Sequence, residues 1–234
     1  MQRETSLARS GTRVFVPRPT LPFLLVLSVA CVAQLRAENA PQLHLSWIDS
    51  YKLLPPRQYD FMAEEVDALF GELGIDVAWR QGLPVAGKAS VGQVTIILMR
   101  NNSRGWGYAH NILGTVLGRD SHRVFVFYPN VVAALGLPSR GSETRDVGLS
   151  PMPFDLKGDN EIALALGRVI VHETVHALCP EQPHLEDGLM SARLTFALLR
   201  GPRIMLPSEV ARRVLKRLAP AHLRQDGTLV VGRP

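Results

Sequence analysis

Two histidines and a glutamate stand together in the segment 172–176, whose sequence is HETVH. Residues four apart project from one face of an α-helix, so the rings of His172 and His176 can reach a common point. Two imidazoles at that spacing suit Zn²⁺, which binds histidine nitrogen at about 2.0–2.1 Å. Glu173 is offset around the helix and can reach a water molecule held at the metal without coordinating the ion. The pattern therefore predicts zinc-assisted hydrolysis, with Glu173 as general base and then general acid.

A helix must position these side chains. The segment before the motif, Ile162 to Val171, is apolar, and we predict a helix from about Asn160 to Leu178 with Asp159 or Asn160 as its N-cap. Pro180 stands just beyond the predicted end, where a proline is common. The motif is thus expected late on a buried helix.

A third protein ligand is needed for a zinc site that keeps one position open for water or substrate. His184 follows the helix after a short turn and is the preferred candidate. Cys179 continues the same helix face, and its thiolate would bind zinc, although a lone cysteine at a helix end is more often a small buried hydrophobe. Glu181 and Glu186 are further rivals, and Glu186 alternatively orients a ligand histidine or is simply solvated.

The rest of the chain alternates strand-like and helix-like segments. The predicted strands are Leu43–Trp47, Ile75–Trp79, Gln93–Met99 and Arg123–Tyr128, the further predicted helices are Met62–Leu73 and Ser208–Leu218, and 101–120 is predicted to be a surface loop. The basic residues Arg212, Arg213 and Arg217 are predicted to form a solvated helix face. This order predicts one α/β (α+β) domain, with an N-terminal helix, the HExxH helix and a C-terminal helix packed on a small mixed twisted sheet.

The stretch 169–190, VIVHETVHALCPEQPHLEDGLM, resembles the metzincin-type zinc metallopeptidases. His172, Glu173 and His176 match the HExxH motif, and the Gly-Leu-Met segment that ends at Met190 resembles the Met-turn beneath the metal. More narrowly, the chain is similar to exported bacterial proteins whose third histidine, here His184, stands eight residues after the second. The resemblance implies a metzincin-like fold that binds Zn²⁺ and hydrolyses a peptide or protein substrate.

One feature of the chain departs from the usual metzincin pattern, and another agrees with it. The usual pattern, HExxHxxGxxH, places glycine and the third histidine where this chain has Cys179 and Gln182, so the turn that leads to His184 is two residues longer. The strand Arg123–Tyr128 resembles the edge strand along the substrate cleft. A peptide is therefore expected to pair with the backbone of its Phe125–Phe127 part.

The N-terminus has the pattern of a signal peptide. Arginines precede the apolar run 21–33, LPFLLVLSVACVA, which is shorter than the ~20 residues that span a bilayer. We predict a signal peptide over residues 1–37, a metallopeptidase domain over 38–234 with no stable membrane span, and a secreted or periplasmic protein. An uncleaved anchor and a lipoprotein at Cys31 are the alternatives.

The net charge of +5 belongs to this leader. Removing its five arginines and one glutamate leaves 21 basic and 20 acidic residues, so no nucleic-acid-binding face is expected. Two other classes remain open. One is a zinc-binding but proteolytically inactive exported scaffold, and the other is a structural domain in which HExxH is accidental. The sequence does not determine the oligomeric state.

Overall fold

The computed structural model describes residues 41–83, 92–101, 112–118, 122–137 and 156–219. All of them lie in one compact unit, Ala40–Pro234. The proposed signal peptide, residues 1–37, lies outside the described residues. None of the described helices is long and apolar enough to cross a membrane.

Within the described ranges, five strands form one mixed sheet in the order β2-β1-β3-β5-β4. They are β1 (Gln42–Ile48), β2 (Asp76–Gln81), β3 (Gln93–Met99), β4 (Gly114–Val116) and β5 (Arg123–Phe127). The first four strands in this order are parallel, and only β4 runs antiparallel to its neighbour. The apolar run of β3 is explained by its place at the centre of the sheet, where both faces are covered.

The prediction that Arg123–Tyr128 forms the edge of the sheet is wrong. β5 lies between β3 and β4, and β4 is the last of the described strands on that side, with Gly114 paired to Val126. β4 falls in the segment 101–120, which was expected to be a surface loop. The strand was not predicted because three residues that begin with glycine are too few to show a two-residue period. Phe127 N–H donates to Leu113 O at 2.8 Å, and Asn130 Nδ2 donates to Ile112 O at 2.6 Å. These two hydrogen bonds fix the residues that directly precede β4.

Five helices complete the described structure. They are α1 (Pro56–Gly71), α2 (Tyr128–Ala134), α3 (Leu156–Leu178), α4 (Phe196–Arg200) and α5 (Ser208–Leu218). The helix α5 was predicted with these bounds, whereas α3 begins four residues earlier than expected. The short helices α2 and α4 were not predicted. Pro129 stands in the first turn of α2, where its missing N–H removes no helical hydrogen bond.

The helix α3 is the centre of the domain. It contacts β3, β4 and β5 of the sheet and also all four other helices. Because other helices and strands pack against α3 on several sides, its buried apolar residues are not confined to one stripe along the helix. The buried ones are Ile162, Ala163, Ala165, Leu166, Val169, Ile170, Val171, Val175, Ala177 and Leu178. The predicted fold class, a mixed α/β domain with helices on a small sheet, is confirmed.

A buried ion pair joins α3 to α1 one turn before His172. Arg168 Nε donates to Glu65 Oε1 at 3.0 Å, and both side chains are 3% exposed. Arg168 Nη1 also donates to Leu198 O at 2.6 Å, and Arg203 binds the other oxygen of Glu65 at 2.9 Å. Every polar atom of the Glu65 carboxylate therefore has a cationic partner, which offsets the cost of its burial.

Replacing Glu65 by alanine is expected to lower the free energy of unfolding by about 3–5 kcal/mol, since it leaves the buried Arg168 charge without a counterion. Arg203→Ala is the matched control, because the Arg203 side chain is 44% exposed and its loss leaves the inner pair intact. For that variant we expect a smaller loss of about 1–3 kcal/mol, because one oxygen of the buried carboxylate loses its partner. Equal losses for the two variants in denaturant unfolding would contradict the assignment of the buried pair as the stabilising one.

Candidate metal centre

The three predicted histidines lie together at the end of α3. His172 and His176 come from the last two turns of the helix, and His184 comes from the loop that follows it. Their candidate ligand nitrogens all lie within 4.8 Å of one another. No other group of three or more metal-ligating side chains occurs among the residues that the structure describes.

The size of this cluster suits a zinc ion. Three nitrogen atoms no more than 4.8 Å apart lie within a circle of about 2.8 Å radius. An ion at the centre of that circle would be within about 1 Å of the usual zinc–nitrogen bond length, which is about 2.0–2.1 Å. The ring centroids are 4.8 Å apart for His172–His176, 5.3 Å for His172–His184 and 4.7 Å for His176–His184. Imidazoles bound to one tetrahedral ion would have centroids about 5 Å apart. A metal could enter with small adjustments of the side chains.

The His172 ring is oriented by a backbone carbonyl. Its Nδ1 lies 2.7 Å from Leu189 O, and since a carbonyl can only accept, Nδ1 carries the proton and Nε2 keeps the lone pair. The carbonyl is presented by a tight turn in which Gly188 has φ +77° and Ser191 N–H donates to Gly188 O at 3.1 Å. The Gly-Leu-Met segment thus fixes the tautomer that a metal ligand needs.

The His176 ring offers the second lone pair. Its Nε2 is buried, and no described residue provides a hydrogen-bond partner for it. The ring also hydrogen-bonds the backbone of Gln182. Burial lowers the pKa of both His172 and His176 to about 4, so both rings are neutral at pH 7 and free of a proton that a metal would have to displace. An orphaned nitrogen aimed at two other imidazoles fits a metal ligand.

The rival third ligands do not join the cluster. Cys179 is buried in the apolar core at 1% exposure, and burial raises the pKa of its thiol to about 11, so the thiol is protonated at neutral pH. Glu181 and Glu186 are exposed, and neither belongs to the group of converging ligand atoms. The exposed loop residue His184 is the one that completes the set.

Glu173 follows His172 on α3, and its side chain packs against the edge strand β4. It is 8% exposed, and burial raises the pKa of its carboxyl to about 8. A nearby dication would favour the ionised form and oppose this shift. The carboxyl lies against the backbone of Gly114, where an added Cβ would lie 2.6 Å from Glu173 Cγ and 3.0 Å from Cδ. The absence of a side chain at Gly114 is what leaves room for Glu173.

Three contributors to the site were missed from the sequence. Leu189 acts through its carbonyl, which every residue type carries, so its side chain gave no signal. Gly114 stands in a strand too short to be recognised. Gln182 did give a signal, because it occupies the position at which the usual pattern has the third histidine. In the structure Gln182 is turned inward and is 5% exposed, while the longer loop brings His184 to the cluster instead.

The fold and site together define a mixed α/β domain with a three-histidine metal centre and an adjacent buried carboxyl. Neither a protein-family model nor a curated protein matches the chain. Among solved structures, archaemetzincin from Methanopyrus kandleri is similar with a TM-score of 0.45 and 14% identity, over 77% of this chain and 96% of that one. A zinc-dependent peptidase from Methanocorpusculum labreanum has a TM-score of 0.47 and 12% identity, over 74% and 99% of the two chains. The function proposed for this chain therefore rests on its own side chains.

Proposed function

We propose that this chain is an exported zinc metallopeptidase of the metzincin-like type, with His172, His176 and His184 as zinc ligands and Glu173 as the general base. One observation supports this most directly. Three imidazoles converge at a point flanked by a buried carboxyl and by a sheet edge at which no described strand pairs. A structural site would need a fourth protein ligand, whereas three ligands with an acid nearby suit hydrolysis.

In the proposed peptidase, the edge strand β4 binds the substrate. An extended peptide can add by backbone hydrogen bonds to the side of β4 at which no described strand pairs, which would carry it past Glu173 because Gly114 of β4 lies against that side chain. This replaces the earlier expectation that the peptide pairs with Phe125–Phe127, since β5 is already paired on both sides. The substrate strand would lie one position further out in the sheet.

The protein side chains then have distinct tasks. Zinc, when bound, supplies a Lewis acid that lowers the pKa of water and polarises a carbonyl. Glu173 takes a proton from the attacking water and delivers it to the leaving amine, which balances the cleavage of the amide bond. The Leu189 carbonyl holds the His172 ring so that Nε2 faces the site throughout. Burial of Glu173 keeps its carboxyl from being solvated by bulk water.

Metal analysis of the purified protein, run beside a peptide-library digest, tests the proposal. We expect about one zinc per chain, peptide cleavage that a chelator abolishes, and restoration by added Zn²⁺. For His184→Ala we expect zinc affinity to fall by at least about 100-fold, because only two protein ligands remain. A wild-type protein that binds no zinc would refute the metal site. Zinc without any cleavage would leave the inactive scaffold as the function.

Export is part of the proposal and is supported by the leader sequence alone. The apolar run 21–33 follows arginines and precedes small residues near Ala37. The mass of the protein recovered from the periplasm or medium of an expressing bacterium tests it. A recovered chain that still carries residues 1–37 would contradict cleavage of a signal peptide.

A further inference from the structure

The loop that carries His184 is two residues longer than the usual pattern, and a longer loop costs more entropy to hold in one shape. Its first part is nevertheless well fixed. Gln182 N–H donates to Cys179 O at 2.9 Å, which closes a turn directly after α3. The Gln182 side chain is buried and accepts a hydrogen bond from the C-terminal helix α5. The loop therefore has an anchor midway between the helix and His184.

The anchor connects two parts of the metal centre. The backbone of Gln182 hydrogen-bonds the His176 ring, and two residues later the chain presents the His184 ring. The side-chain amide of Gln182 donates from Nε2 to Pro183 O at 2.9 Å, which restrains the chain on the way to His184. Any shift of Gln182 would therefore disturb both histidines.

The helix α5 holds this anchor through one arginine. Arg213 Nη1 donates to Gln182 Oε1 at 3.2 Å, and Arg213 Nη2 donates to Glu209 Oε1 at 2.6 Å. Arg213 is half-buried, whereas its neighbours Arg212 and Arg217 are exposed, as predicted for a solvated face. Arg213 thus departs from the expected role of the basic run.

We propose that Gln182 and Arg213 are positioning residues for the metal centre, and that through them the C-terminal helix α5 sets how tightly the His176–His184 pair holds zinc. This inference rests on the zinc site of the proposed function. Neither side chain is a ligand, and both act through the orientation of the two rings. Partners that orient metal ligands contribute about 10–100-fold to metal affinity in other sites.

The test is the rate of zinc release to a colorimetric chelator, measured for the purified metal-loaded protein. We expect Gln182→Ala to release zinc about 10–100-fold faster than wild type, and Arg213→Ala about 3–10-fold faster. Arg212→Ala is the matched control, since it removes the same charge from the adjacent position of α5. Its rate of zinc release should equal that of wild type. Because Arg213 acts through Gln182, the double variant should release zinc at the rate of Gln182→Ala.

Two further readouts separate positioning from general destabilisation. The visible spectrum of the Co²⁺-substituted protein should change in Gln182→Ala and Arg213→Ala but not in Arg212→Ala. The unfolding midpoint of the metal-free protein should be the same for the two arginine variants. If wild type binds zinc and Arg213→Ala releases it at the wild-type rate, the positioning role is refuted while the proposed function stands. If wild type binds no zinc, both fail.

Discussion

Replacing Glu173 by glutamine is expected to reduce kcat/KM for peptide hydrolysis by about 10²–10⁴-fold, the range that a positioned general base contributes. Glutamine has nearly the same shape but cannot accept the proton of the attacking water. The zinc content should remain near one per chain, because Glu173 is not among the converging ligands. Measurement of kcat/KM and of bound metal on the same preparation gives both numbers.

The stability of this variant provides a second, independent expectation. The Glu173 carboxyl is buried, which opposes its ionisation, so a neutral amide of equal size should leave the metal-free protein as stable as wild type or more stable. Glu186→Gln is the control, because it makes the same chemical change at an exposed acid near His184. A Glu173→Gln protein that keeps more than a tenth of wild-type activity would show that another group is the base.

Gly114→Ala is expected to lower kcat/KM by about 100-fold, the loss associated with a misplacement of about 1 Å at a reacting centre. The new Cβ would lie 2.6 Å from Glu173 Cγ, closer than two such carbons can approach. The backbone of β4 is fixed by its pairing with β5, so the Glu173 side chain is the part that moves. The base would then be displaced from the site while the three histidines stay in place.

Overpacking of this kind costs about 1–3 kcal/mol of stability, which is too little to unfold an ordinary domain. Thr115→Ala is the matched control in the same strand, since successive residues of a strand point to opposite faces. It should keep both activity and zinc. Loss of activity in Thr115→Ala equal to that in Gly114→Ala would indicate that damage to β4, and not contact with Glu173, is responsible.

The sequence predicted the parts of the site that are encoded locally. Helical spacing alone places His172 and His176 on one face, and a helix that stops before Pro180 leaves a short path to His184. The buried strand Gln93–Met99 was predicted with the bounds that the structure shows, because an uninterrupted apolar run needs no partner to be recognised.

The parts that depend on distant contacts could not be predicted in this way. β4 has three residues, and its strand character comes from pairing with β5 and from the Asn130 side chain that holds Ile112. The sheet order placed β5 inside the sheet, although its sequence pattern fits an edge or an interior strand equally. Arg213 departed from the solvated face because Gln182 lies within its reach, which helix periodicity does not reveal.

The distribution of the site along the chain has a consequence for folding. The three histidines lie within a single helix and the loop that follows it, so they can approach one another with little loop closure, and contacts of that kind form early. The contact between Gly114 and Glu173 joins distant segments and requires the β4–β5 pairing, which is non-local with respect to α3. During refolding of the complete chain, the three histidines can therefore meet before Gly114 of β4 comes to lie against the carboxyl. If the chain is the zinc peptidase proposed above, its hydrolytic competence would arrive later than metal binding, and the partly folded chain would be spared from cleavage by its own site.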